Sequence, residues 1–223
     1  MATASRAPLD MDLVRSGLFL GGQTAEEAPI EDLKAYGITH VLQLGTNYIT
    51  MSPSHPDELA YLCIDIHDKD EADLIKALRK HKAMEFMDAA VQYPNGLLVH
   101  CQMGMSRSAT TVIVYLMLRE GLTFWDALVQ TVSARRVVSP NPGFCRQAKA
   151  VEKCKGSLKK YKGPYKDTDL LDWEWLRLID RAQTAALVDP SIWASGSKSL
   201  ESTAVEPHLL TMSEDLHSDP VTQ

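Results

Sequence analysis

Gly96-Leu97-Leu98-Val99-His100-Cys101-Gln102-Met103-Gly104-Met105-Ser106-Arg107-Ser108-Ala109 is the stretch from which the rest of the chain is read. Gly96 to Val99 reads as the end of a short buried strand. Ser108 to Arg119 (SATTVIVYLMLR) reads as a buried helix. The loop between them carries Cys101 at its start and Arg107 six positions later, Cys-x5-Arg. A strand, a tight loop and a helix N-terminus make an anion site, because successive N–H groups converge and the helix dipole favours negative charge. A Cys in that field is biased toward thiolate. Arg107 adds a planar fork that holds a phosphate through two parallel hydrogen bonds. A thiolate in a phosphate cradle is placed to attack phosphorus.

The whole chain sets bounds on this reading. Its 223 residues suit one domain plus a tail, and 45% hydrophobic residues supply a core. A net charge of −6 argues against a general nucleic-acid binder. No apolar run approaches the roughly 20 residues that span a bilayer. Met1 to Asp10 lacks a basic-then-apolar export pattern. Cys63, Cys101, Cys145 and Cys154 are scattered without metal-ligand spacing, so no metal is expected; no other cofactor is expected either. They read as reduced thiols of a cytoplasmic or nuclear protein.

Upstream, residues 1 to about 11 read as flexible. Val14 to Gly22 carries a turn at Ser16-Gly17 followed by a short apolar strand. Thr24 reads as an N-cap with acids behind it. Pro29 to Tyr36 reads as helical turns, Ile38 to Leu44 as a strand and Leu59 to Ile66 as another. Leu74 to Gln92 reads as one helix, with Leu74, Leu78, Met84, Met87 and Val91 at helical spacing.

Downstream, Thr123 is the expected N-cap of a helix from Phe124 to about Arg135. Val137 to Pro142 is a loop, and a further helix runs from Gly143-Phe144 to about Leu158. Strands alternating with helices imply an α/β domain with a central, mostly parallel sheet. The expected organisation is a domain over 12–160, a linker and C-terminal helix over 161–189, and a disordered tail over 190–223. The helix, Asp169 to Val188, has an apolar side that either packs on the domain or receives a partner.

The run HCQMGMSRSA, His100-Cys101-x5-Arg107-Ser108, resembles the dual-specificity branch of the protein tyrosine phosphatase superfamily. VRSGLFLGG resembles that family's first strand, YGITHVLQL its second, YLCIDIHDKDEADL its acid-bearing strand and loop, and SPNPGFCRQ the segment after the loop helix. The resemblance covers about residues 12 to 155. It implies the cysteine-phosphatase fold, about five strands flanked by helices, and hydrolysis of phosphotyrosine and phosphoserine/phosphothreonine on phosphoprotein substrates.

Within that frame Cys101 is the expected nucleophile and Arg107 the grip on the phosphoryl oxygens. Gly104 supplies a backbone conformation closed to residues with a Cβ, and the amides of Gln102, Met103, Gly104, Met105, Ser106 and Arg107 line the cradle. Ser108 donates to the Cys101 sulfur, or caps the helix, or both. The resemblance implies that His100 hydrogen-bonds backbone behind the loop and that Asn141 hydrogen-bonds the phosphate loop and positions it. It also implies that Asp68, 33 residues before Cys101, is the general acid. Asp65, Asp70, Glu71 and Asp73 are rivals. Asp65 lies inside a strand, and Asp73 suits the cap of the following helix. Cys63 is either core filler or a partner that traps oxidised Cys101.

The variable loop positions Gln102, Met103 and Met105 are uncharged, which disfavours highly anionic inositol or RNA 5′-triphosphate substrates. The alternative from another class is a scaffold that binds phosphoproteins without turnover. Such proteins usually lose the Cys or the Arg, and both are present here. Neither the physiological substrate nor the oligomeric state is legible in the sequence.

Overall fold

The computed structural model describes residues 8–45, 52–92, 95–154, 156–163 and 172–188. Five strands form one sheet: β1 (Met11–Arg15), β2 (Leu18–Gly21), β3 (Ile38–Gly45), β4 (Ala60–Asp65) and β5 (Gly96–His100). Their order across the sheet is β1-β2-β5-β3-β4. β1 and β2 are an antiparallel hairpin; β2–β5, β5–β3 and β3–β4 are parallel. β5 is central, and all five of its residues are buried. That explains its continuous apolar run: a strand covered on both faces has no polar side to alternate.

The helices are α1 (Gln23–Glu26), α2 (Ile30–Ala35), α3 (Leu74–Lys80), α4 (Ala83–Ala90), α5 (Arg107–Glu120), α6 (Phe124–Ala134), α7 (Pro142–Val151) and α8 (Asp172–Val188). The sheet divides the core. On one face Leu42, Leu44, Leu97 and Val99 pack with α3 to α8. On the other, Val41 and Leu98 pack with Ala25 and Leu33 of α1 and α2. α5 is buried from Arg107 to Met117, so it lies inside the larger layer and its N-terminus meets the end of β5.

Several sequence expectations change. The segment before residue 12 is not uniformly loose: Met11 opens β1, and Asp10 holds Arg135 at 2.7 Å. β1 escaped notice because it is an edge strand whose outward residues, such as Leu13, are exposed, so its alternation is weak. Thr24 is not a cap; Gly22 precedes α1, and the Thr24 hydroxyl donates to Asp10 Oδ2 at 3.2 Å. The single helix over 74–92 is two, broken at Lys82, whose φ is 53°. The break lets α3 pack on α7 while α4 packs on β3 and β5. α7 ends at Val151 and continues as two 3-10 turns, Glu152–Cys154 and Leu158–Lys160.

α8 packs on α6 and α7. Ile179, Ala182 and Ala186 enter the main core, while Leu176 and Leu187 stay exposed. Arg136 Nη1 and Nη2 donate to the Gln183 and Ala186 carbonyls at 3.1 and 3.4 Å, and the Arg181 guanidinium lies 5.3 Å from the Trp125 ring. The expected start of this helix at Asp169 and the expected disordered tail over 190–223 lie outside the described residues. No helix among the described residues is long and apolar enough to cross a membrane.

Candidate active site

β5 ends at His100, and the chain turns through Cys101–Ser106 into α5. The helix begins at Arg107, one residue before the sequence reading placed it. Gly104 has φ +67°, and a Cβ there would meet the Gly21 backbone at 2.6 Å, so both conformation and space require glycine. The carbonyls of the loop face outward. Gln102 O accepts from the Gln23 N–H at 3.0 Å, and Met105 O from the Ser139 N–H at 3.0 Å.

Cys101 sits at the mouth of this loop and is 3% exposed. Ser108 donates its hydroxyl to the Cys101 sulfur at 3.1 Å. Burial pushes the thiol up. The Ser108 hydroxyl, the Ser108 and Gly104 backbone N–H groups and the Arg107 charge outweigh it, and the net shift is downward. Ser108 is the second residue of α5 and does not cap it, which settles the choice left open for that hydroxyl. The hydroxyl of Ser106, the residue at the cap position, makes no capping bond because it is committed elsewhere.

That commitment is to Asp68, where Ser106 Oγ donates to Oδ1 at 2.7 Å. Asn141 Nδ2 donates to the same oxygen at 2.7 Å, and the Arg107 Nε stands 3.7 Å from Oδ2. Asp68 therefore faces the cradle. Among its rivals, Asp73 caps α3 through the Lys76 N–H, and Asp70 is 3.4 Å from Arg146. Asp65 is in β4, and Glu71 is exposed on the same loop. Of the five carboxylates, Asp68 is the one paired with Arg107 and bonded to the phosphate loop.

Asn141 hydrogen-bonds the phosphate loop, and it does so through its main chain. Its backbone N–H reaches Ser106 Oγ at 3.1 Å, while its side chain holds Asp68 and caps α7 by accepting from the Phe144 N–H at 2.8 Å. His100 is 1% exposed, and burial lowers its pKa, so it is held neutral. The backbone bond expected of it is absent. Neither ring nitrogen has a hydrogen-bond partner among the described residues; the Cys101 backbone influences its charge without reaching bonding geometry. Cys63 contacts Gln43 Oε1 at 3.7 Å, and burial raises its thiol.

On the acid side of the site, two positions were missed in the sequence. The Ser106 hydroxyl was read only as part of a backbone cradle. Gly143 was read only as a helix start, yet a Cβ there would meet the Asp70 carbonyl at 2.1 Å, so the acid loop lies directly on the first turn of α7. The Pro-Asn-Pro-Gly run carried the signal of a close approach.

The cleft over the loop measures about 330 Å³ and is lined by Asp68, Cys101, Met103, Met105, Arg107 and Pro142, among others. Among the described residues that line it are one cation, Arg107, and one carboxylate, Asp68. No group of His, Cys, Asp and Glu able to hold a metal occurs among the described residues. The site can polarise a phosphoryl group, present a thiolate to it and offer a carboxylic acid beside it.

The catalytic-domain model of the dual specificity phosphatases matches residues 18–154. A dual specificity protein phosphatase 1B of Arabidopsis thaliana is 39% identical over 144 residues, covering 65% of this chain and 83% of that protein. The human tyrosine phosphatase-like serine/threonine/tyrosine-interacting protein superposes with a TM-score of 0.62 at 30% identity, covering 66% of this chain and 98% of that one. A mouse dual specificity phosphatase complexed with zinc tungstate gives 0.60 at 32% identity, covering 69% and 93%. The chain belongs to the dual specificity phosphatases, enzymes that remove phosphate from protein tyrosine, serine and threonine.

Proposed function

We propose that the protein hydrolyses phosphotyrosine and phosphoserine/phosphothreonine of phosphoproteins through a cysteinyl-phosphate intermediate. The Cys101 sulfur, held 3.1 Å from the Ser108 hydroxyl and biased toward thiolate, carries this reading. In the first step the thiolate attacks phosphorus while the bond to the leaving oxygen breaks, and Asp68 gives that oxygen its proton. Arg107 and the inward amides hold the equatorial oxygens. In the second step Asp68 takes a proton from water, whose oxygen attacks phosphorus. The P–S bond breaks, inorganic phosphate leaves, and the Ser108 hydroxyl stabilises the returning thiolate.

The uncharged rim formed by Met103, Met105 and Pro142 favours a singly phosphorylated side chain over a polyanionic head group, because among the described residues no second cation stands beside Arg107 in the cleft. Family membership points to phosphoprotein substrates. The test is hydrolysis of a phosphotyrosine peptide and a phosphothreonine peptide by the wild type and by Cys101→Ser. Turnover of both by the wild type and of neither by the variant supports the proposal. Binding without turnover by both proteins would make the chain a phosphoprotein scaffold.

A further inference from the structure

Arg135 follows α6, is 6% exposed and takes no part in the two steps above. Its Nε donates to the Gly104 carbonyl at 3.2 Å, and its Nη2 to the Met103 carbonyl at 3.0 Å. From the other side Asp10 accepts from Nη2 at 2.7 Å and Asp12 from Nη1 at 2.9 Å. One guanidinium thus joins the phosphate loop to the N-terminal hairpin.

The consequence follows from peptide geometry. In a planar trans peptide the C=O and the following N–H point in opposite directions. Fixing the Met103 and Gly104 carbonyls outward turns the N–H groups of Gly104 and Met105 inward. The Gly104 N–H is among the groups that lower the Cys101 thiol. The four consecutive carbonyls Gln102 to Met105 are all held from outside: the first by the Gln23 N–H, the last by the Ser139 N–H, and the middle two by Arg135. The fit is close, since a Cβ on Gly104 would stand 2.8 Å from Arg135 Nε.

We propose that Arg135 is a positioning residue of the phosphate site. It never touches substrate, but holds the loop so that two of its amides face the sulfur and the bound oxyanion. This rests on the reading of that loop as the phosphate cradle. Lysine is no substitute, because a single ammonium lacks the rigid fork that serves two carbonyls and two carboxylates together.

The experiment uses the full-length chain as wild type, Arg135→Ala, Arg135→Lys and the double variant Asp10→Asn/Asp12→Asn, with Arg136→Ala as control. Two quantities are measured: the pH dependence of Cys101 alkylation by iodoacetamide, followed on the Cys101 peptide by mass spectrometry, and the affinity for tungstate. Arg135→Ala should alkylate with a thiolate transition displaced to higher pH and bind tungstate at least roughly tenfold more weakly, as expected for disordered hydrogen bonds to a charged group. Arg135→Lys should remain closer to Arg135→Ala than to wild type. The double Asp variant should shift both quantities the same way by less, and it keeps the proposal testable if Arg135→Ala does not fold. Arg136→Ala loses bonds to α8 and should leave both unchanged. Wild-type values in Arg135→Ala, or in the double variant where Arg135→Ala is unfolded, would overturn the proposal. A wild type whose Cys101 alkylates as an ordinary thiol and binds no tungstate would overturn the phosphatase reading itself, and the role of Arg135 with it.

Discussion

Ser106 Oγ donates to Asp68 Oδ1 at 2.7 Å and accepts the Asn141 N–H at 3.1 Å. A hydroxyl of the phosphate loop thus connects the acid loop to the start of α7. Ser106→Ala removes that link while leaving the loop amides in place. It should lower kcat about tenfold on an alkyl phosphate, the worth of one hydrogen bond to a charged group, and much less on an aryl phosphate with a good leaving group. Steady-state kinetics on the two substrates read the difference.

The choice among the acids is tested in the same assay. Asp68→Asn should lower turnover of alkyl phosphates by about 10² to 10⁴, the usual contribution of a general acid. Asp70→Asn removes only a 3.4 Å contact with Arg146 and should cost less than about threefold, since exposed ion pairs contribute little. The reverse order would assign the acid to Asp70.

Gly143→Ala should disturb the acid loop without touching the nucleophile. The added methyl meets the Asp70 backbone at 2.1 to 2.6 Å, and a main chain cannot move aside as a flexible side chain does. The expected result is a fall in kcat concentrated on poor leaving groups, with the rate of Cys101 alkylation unchanged. Equal losses on aryl and alkyl phosphates would place the damage elsewhere.

α8 is part of the folded domain, and its removal should be felt in stability. Ile179 is 6% exposed, and Ile179→Ala should cost about 2–3 kcal/mol in urea unfolding, from lost burial plus the cavity left behind. Exposed Leu176 is the control, and Leu176→Ala should change stability by less than about 0.5 kcal/mol. Equal, small effects would mean that the helix is not seated as described.

Cys101 links stability to pH. Its thiol titrates near 9.0 when unfolded and lower when folded. Between those values the unfolded chain carries a proton that the native one lacks, so the contribution of Cys101 to native stability is fully present above about 9 and is lost as pH drops through the folded value. Urea unfolding of wild type and Cys101→Ala across pH 5 to 9 isolates this contribution. The difference, wild type minus variant, should rise with pH.

Much of this was legible beforehand because it is local. The apolar run of β5, the glycine and cation of the loop, and the buried face of α5 are each written in a contiguous stretch. What escaped depends on contacts between distant segments. β1 is an edge strand recognised by its partner β2, and the break at Lys82 follows from where α3 and α4 must pack. Arg135 resembled any helix-ending cation until its guanidinium was seen on the Met103 and Gly104 carbonyls. Asn141 was expected to hydrogen-bond the loop; that it also holds Asp68 was not legible, because its side chain and its own N–H serve different neighbours.

The central claim is that Cys101 carries the phosphoryl group. Rapid acid quench of the full-length protein with a ³²P-labelled phosphotyrosine peptide tests it most directly. Label is expected on the Cys101 peptide of the wild type, more of it in Asp68→Asn if breakdown of the intermediate slows further than its formation, and none in Cys101→Ser. Peptide turnover by Cys101→Ser at the wild-type rate, or wild-type turnover with the label on another residue, would contradict it.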